Sequence, residues 1–180
     1  MVDSKTQGIG GAFRKWLPLQ IVSLNEIPAM LDDELRLQVT ATDLAYLGSL
    51  MANLCLQKNG VGLSAVQVGI PLPFFVASEN QNDFLYFYDC EYEGRDSKIS
   101  SIEGCLSLLD KTTGLTRRFL LSRYKTILCK GKKVVSYGDR IQFEDCEIEY
   151  DGFMSIVLQH EIDHHHFKLI SELGKEIQII

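Results

Sequence analysis

The sequence predicts an α+β fold, with antiparallel sheets around a central helix that carries His160-Glu161-Ile162-Asp163-His164. Three observations predict it. Apolar residues at helical spacing mark 42–59 and 152–170, one near each end of the chain. The stretch between holds short apolar and aromatic runs. Gly, Pro, Asn and Asp punctuate those runs closely, which suits antiparallel neighbours joined by short turns rather than long crossovers.

Taken in order, residues 1–15 are polar and glycine-rich and read as a flexible segment ahead of a single catalytic domain over 16–180. Thr42–Asn59 reads as a helix that Thr40 or Thr42 can cap, with Leu44, Leu47, Met51 and Leu54 on one face and Gly60 at its end. Phe74–Ala77 and Phe84–Tyr88 read as strands. Phe119–Cys129 reads as another, followed by a turn at Lys130-Gly131-Lys132 and a strand from Lys133 to Tyr137. Gly138-Asp139 makes the next turn, before a strand over Arg140–Tyr150. Asp151 then caps a helix from Gly152 to about Ile170, with Phe153, Ile156, Val157, Leu158 and Phe167 as its apolar positions.

Composition excludes several classes. With 180 residues and 46% hydrophobic content the chain can bury a sizeable core. A net charge of -6 disfavours nucleic acid and anionic membrane surfaces as partners. Arg117-Arg118 and Lys130 to Lys133 are short basic clusters and read as solvated surface. No apolar run approaches the roughly 18 residues of a membrane span. Met1–Lys15 has no apolar secretory core, so a cytoplasmic or organellar setting is expected. The 5 cysteines form no CxxC pair and read as reduced thiols, mostly small buried apolar residues.

The chemistry concentrates in the second helix. Histidines four apart project from the same helix face, one turn above the other, which suits two imidazoles on one metal ion. Glu161 sits beside the first of them, where a carboxylate can reach a water on that ion. Phe153, His160 and Phe167 are spaced by seven, as are Val157 and His164, so both histidines should continue an apolar stripe and point inward. Burying two unpartnered imidazoles costs on the order of one to a few kcal/mol each, a cost that a metal removes. His165 and His166 leave the stripe and are expected in solvent or beside the ligands.

Two histidines rarely complete a site. Downstream, Glu172 could serve as third ligand, as in a zincin-type peptidase. Upstream, Glu103-Gly104-Cys105-Leu106-Ser107 offers a thiolate in a glycine-containing loop. After the first helix, Gly60-Val61-Gly62-Leu63-Ser64-Ala65-Val66-Gln67 combines small residues with an amide able to donate to a developing oxyanion.

Together GVGLSAVQ at 60–67, EGCLS at 103–107 and HEIDH at 160–164 resemble the three motifs of the peptide deformylases, in the same order, over about Asn53 to Phe167. The resemblance implies three antiparallel sheets around a metal-bearing helix, and a hydrolase that removes the formyl group from the N-terminal formyl-methionine of new polypeptides. It implies Cys105, His160 and His164 as metal ligands and Glu161 as general base and then general acid. It also implies the Gln67 side chain and the Leu106 N–H at the oxyanion, and a methionine pocket lined by Val61, Gly62, Phe153, Ile156 and Val157. The implied cofactor is one divalent ion, Fe(II) first, with zinc, nickel or cobalt accepted. The implied partners are N-formyl-methionyl nascent peptides, met at the ribosome by a monomer.

The chain departs from the pattern at Ser64 and Val66, where the family usually has Ala and often Pro, and at His165-His166-Phe167, which replaces Leu-x-Gly. Leu108 to Thr112 is atypical, and many relatives carry an Arg near Thr112 that helps hold the peptide. These departures keep open a peptide-binding relative without turnover, beside the zincin and a structural zinc site. A carboxylate next to a ligating loop needs a partner, and Arg117 is the one expected for Glu103.

Overall fold

The structure is a computed structural model that describes residues 11–110 and 112–178. Its helices are α1 (Asp33–Gln38), α2 (Ala41–Gln57), α3 (Gly152–His165) and α4 (Ile170–Leu173). Its strands are β1 (Gly62–Ser64), β2 (Phe74–Ala77), β3 (Leu85–Gly94), β4 (Lys98–Leu109), β5 (Thr116–Tyr124), β6 (Thr126–Tyr137), β7 (Arg140–Asp151) and β8 (Lys175–Ile177). All pairings are antiparallel, in a five-stranded sheet ordered β1-β2-β3-β6-β7 and a three-stranded sheet ordered β4-β5-β8. The expected α+β architecture is present, with two sheets among the described residues rather than three. The count falls because β6 runs unbroken for 12 residues and joins β3 to β7.

Of the segment expected to be flexible, residues 1–10 lie outside the described part. Gly11–Trp16 forms a 3₁₀ helix with Phe13 fully buried, and Trp16 Nε1 donates to the Gly69 carbonyl at 2.8 Å. α2 starts at a capping box in which the Asp43 N–H donates to Thr40 Oγ1 and the Thr40 N–H donates back to Asp43 Oδ2. Gly60 ends the excursion by donating its N–H to the Cys55 carbonyl. Leu44, Leu47 and Met51 are buried against one face of the large sheet, where Phe74, Val76 and Tyr88 meet them.

The opposite face takes α3. Alternation along β2 sends Phe75 and Ala77 that way, with Phe87, Ile127, Leu158 and Ile162. Phe75 and Phe87 are register partners, and their rings stack at 4.9 Å. α3 therefore lies between the two sheets and is buried almost all round. This corrects the apolar stripe. The histidines are buried, but on the polar side of the helix, and Phe153 of the supposed stripe is 48% exposed. The helix also stops at His165 rather than near Ile170, with Phe167 just beyond it in a left-handed conformation at φ 56°.

Two further corrections concern the strands. The run 119–129 is not one strand: the chain leaves β5 at Tyr124 and enters the other sheet at Thr126. Gln159 holds that switch point, its Oε1 accepting from the Tyr124 N–H at 2.9 Å and its Nε2 donating to the Tyr124 carbonyl at 2.8 Å. Lys130-Gly131-Lys132 is not a turn but the middle of β6, where Lys130, Lys132 and Lys133 stand opposite Glu147, Asp145 and Glu144 of β7. The basic cluster is matched charge for charge across the ladder.

Gly131 explains why the turn reading failed. Its missing side chain lets β3 approach, and an added Cβ would lie 2.5 Å from Cys90 Sγ and 2.6 Å from the Asp89 carbonyl oxygen. Gly131→Ala should therefore cost about 2 kcal/mol of stability through overpacking. Urea denaturation checks this, and a loss of under about 0.5 kcal/mol, the level of an ordinary surface change, would contradict the packing argument.

Candidate metal centre and active site

Three elements converge on one point. α3 supplies His160 and His164, β4 supplies Cys105, and the turn after β1 supplies Gln67. The ligand atoms of Cys105, His160 and His164 lie within 4.8 Å of one another, and all three residues are buried. Cys105 Sγ is 3.4 Å from His164 Nε2. A tetrahedral zinc-like site with one sulfur and one nitrogen ligand has that edge at about 3.5 Å, so the donor set fits one divalent ion.

Sequence reasoning read Cys105 as part of a loop; it stands on the edge strand β4. Pairing of β4 with β5 lapses between Gly104 and Leu109, which lets Cys105 and Leu106 turn toward the helix. The rival ligand Glu172 is exposed, and its carboxylate accepts the N–H of Leu169 at the start of α4 instead.

The residues around the ligands fix their orientation. His160 Nδ1 is 2.9 Å from Glu103 Oε2, so it donates there and leaves Nε2 free for an ion. Arg123 grips Glu103 with two bonds, Nε to Oε1 at 2.8 Å and Nη2 to Oε2 at 2.9 Å. Its Nη1 reaches Asp163 Oδ2 at 2.5 Å, and Tyr92 Oη donates to Asp163 Oδ1 at 3.3 Å. Burial alone would raise Glu103; the bonds from His160 and Arg123 outweigh it and hold the carboxyl at about 2.

Arg117, the expected partner of Glu103, is instead paired with Glu176 on the surface at 2.5 Å. Arg123 was missed, although its signal was present. Phe119, Leu121 and Arg123 alternate along β5 as its inward positions, and a charge in that series must meet a buried partner. Of the two settings expected for His165, solvent is excluded. The residue is 5% exposed, packs on Phe75 at 5.4 Å, and has no hydrogen-bond partner for either ring nitrogen among the described residues. Burial lowers it to about 3, so it stays neutral. His166 is exposed and sits 2.8 Å from Glu91.

The two ligand imidazoles titrate in opposite senses. Burial opposes charge on both. Bonds to Cys105 and Glu103 overcome it at His160, which is raised well above the ordinary value, while burial and then the His160 charge drive His164 well below.

Glu161 is 3% exposed, its Oε2 has no hydrogen-bond partner among the described residues, and burial raises it to about 7. It fits only because Gly62 lacks a side chain, since a Cβ there would overlap Glu161 Oε1. Gln67 is 1% exposed. Its Oε1 accepts from the Ser64 N–H at 2.9 Å, which fixes the amide and turns Nε2 toward Cys105 Sγ and Ser107 Oγ, each at 3.2 Å.

All of this opens on a cleft of about 1430 Å³. Cys105, His160, Glu161, Gln67 and Leu106 line it together with Val61, Gly62, Phe153, Ile156 and Val157. Of the sequence-predicted residues only His164 lies behind this wall, facing a smaller cavity with Phe167. The exposed ring of Phe153 is accounted for by its place on the cleft.

Comparison with known proteins agrees. The sequence matches the family model described as Polypeptide deformylase over residues 21–176. It is 34% identical over 116 residues to the peptide deformylase of Wolinella succinogenes, a stretch that is 61% of this chain and 61% of that protein. It is 34% identical over 131 residues to that of Campylobacter jejuni, 68% of this chain and 67% of that protein. The chain thus spans about three fifths of the Wolinella relative's length. Among solved structures, a class I type b peptide deformylase from Acinetobacter baumannii aligns with a TM-score of 0.67 at 24% identity, covering 86% of this chain and 98% of that one. The peptide deformylase from Thermus thermophilus aligns at 0.66 and 24%, covering 86% and 83%. At that identity these two show likeness of fold.

Arg123→Met would strand Glu103 and Asp163 as buried charges. We expect a loss of about 3–5 kcal/mol in stability and a fall of about 10- to 100-fold in affinity for the divalent ion, read by thermal melting and by competition with a chelating dye. Because Glu103 is lowered from 4.5 to about 2, its contribution is complete above pH 4.5 and lost as pH falls toward 2. Glu103→Gln should flatten that limb of the stability curve, and an unchanged limb would contradict the pairing.

Proposed function

The chain belongs to the polypeptide deformylase family, and from that premise we propose that it hydrolyses the N-formyl group of formyl-methionyl nascent polypeptides, releasing formate. The observation that carries the reading is the buried Cys105, His160 and His164 cluster with Glu161 beside it and Gln67 across from it. A structural zinc site would close with a fourth protein ligand, whereas here three candidate ligands gather among the described residues and two of them, Cys105 and His160, line an open cleft.

Cys105, His160 and His164 hold the ion, Fe(II) in the first instance and zinc, nickel or cobalt as alternatives. Bound there, a divalent ion supplies Lewis acidity that acidifies water and polarises a carbonyl. Glu161 does the proton work. Its unpartnered carboxylate, raised by burial, accepts a proton from the attacking water and later delivers it to the departing amine. Gln67 Nε2, locked by the Ser64 N–H, donates to the oxygen of the formyl carbon as negative charge gathers there, and the Leu106 N–H joins it from the lapse in the β4 ladder. Val61, Gly62, Phe153, Ile156 and Val157 receive the methionine side chain. Residues 16–180 act as one catalytic domain, a monomer serving new chains at the ribosome in the cytoplasm or an organelle. Among the described residues no helix is long and apolar enough to cross a membrane.

The test is formate release from a formyl-Met tripeptide by protein loaded anaerobically with Fe(II) or Ni(II). Wild type should turn over, Glu161→Ala should keep its metal and lose turnover, and Gln67→Ala should lose about 10²–10³-fold in kcat. Metal-loaded Glu161→Ala at near wild-type rate would remove Glu161 from its role. No formate from loaded wild type would leave a peptide-binding protein without turnover.

A further inference from the structure

The outer wall of the cleft carries a cation that the chemistry above does not use. Arg118 stands on β5 directly opposite Gly104 of β4, one residue along the strand from Cys105. Its side chain lies in the place that Gly104 leaves vacant: a Cβ on Gly104 would be 2.8 Å from Arg118 Nη1. Arg118 lines the cleft together with Ile102 and Thr116.

Of the carboxylates on or behind the cleft, all but the buried Glu161 are already engaged. Glu176 is bound to Arg117, and Glu103 and Asp163 to Arg123. Asp110 accepts from the N–H groups of Thr112 and Thr113 and from Thr113 Oγ1. Among the described residues Arg118 has no ion-pair partner, although it faces the cavity. Lys58, also on the cleft and without an ion pair there, adds potential of the same sign from the end of α2.

A peptide whose formyl end is fixed at Cys105 and His160, with its first side chain among Val61, Phe153 and Ile156, must leave along the cleft. An extended chain advances about 3.3 Å per residue. Arg118, across the ladder from the residue that precedes Cys105, therefore lies within reach of the side chains that directly follow the methionine. We propose that Arg118 is a specificity-determining residue, recognising an acidic side chain at the second or third residue of the substrate. The fork of the guanidinium suits a carboxylate in two-point contact. The proposal rests on the deformylase reading above.

The experiment uses metal-loaded enzyme and formyl-Met tripeptide amides carrying Glu, Gln or Lys at the second or the third position. The Glu peptide should have a KM about threefold to fivefold below its Gln counterpart at one of these positions or both, the range open to an exposed ion pair. The Lys peptide should have a higher KM, kcat should be the same for all three, and the difference should shrink at high salt. Arg118→Ala should bring the Glu-to-Gln ratio of KM to unity, and Arg118→Lys should restore part of it. Equal KM values at both positions in wild type, or an undiminished ratio in Arg118→Ala, would overturn the assignment. No turnover of the Gln peptides by wild type would instead count against the reaction itself.

Discussion

The site depends on one guanidinium. Arg123 reaches from β5 to Glu103, two residues from Cys105, and to Asp163, next to His164. Cys105 and the two histidines come from parts of the chain more than fifty residues apart, on a strand and a helix that share no backbone pairing. Without a link between strand and helix, each ligand would sit wherever its own element happened to pack. The link is polar and buried, which is costly in isolation, and it stands because every charge in it has a partner. Glu103 also turns the His160 ring, so the same contact that fastens two elements sets which nitrogen is presented.

The second constraint is space. α3 is enclosed by a sheet on either side. Its apolar residues meet the aromatic face of the large sheet, and its polar residues meet the small one. A helix normally leaves one face in water; here α3 is buried almost all round, and His160 and Glu161 reach the cleft. That enclosure makes the Glu161 carboxylate reluctant to ionise, and Gly62 gives it just enough room. Glu161 and the Cys105, His160 and His164 cluster thus share the same burial.

Much of this was legible in the sequence because spacing on a helix is rigid. Histidines four apart must share a face, and the carboxylate between them must lie close by. EGCLS and GVGLSAVQ could be recognised, yet their local structure could not, since a strand edge whose pairing lapses looks like a loop. The break at Tyr124 was invisible because the side chain that stabilises it, Gln159, lies 35 residues away. Lys130-Gly131-Lys132 read as a turn because glycine between lysines usually is one; only the neighbouring strand shows that this glycine serves close approach. The apolar stripe failed because enclosure on both sides removes the contrast that a stripe relies on. Arg117 and Arg123 share the parity of Phe119 and Leu121 along β5, so alternation alone could not separate them; Arg123 is the one that lies beside α3, where Asp163 meets it.

The large sheet ends on β7, which carries Glu144, Asp145, Glu147, Glu149 and Asp151, while the facing lysines all lie on β6 within. An unpaired strand edge invites a second chain to extend the ladder. Two such edges approaching each other would bring rows of carboxylates together with no lysine between them. The hairpin thus spends its lysines on internal register and leaves an outer strand with five carboxylates against one cation, Arg140, so the border most open to cross-β growth meets its own copy with an excess of like charge.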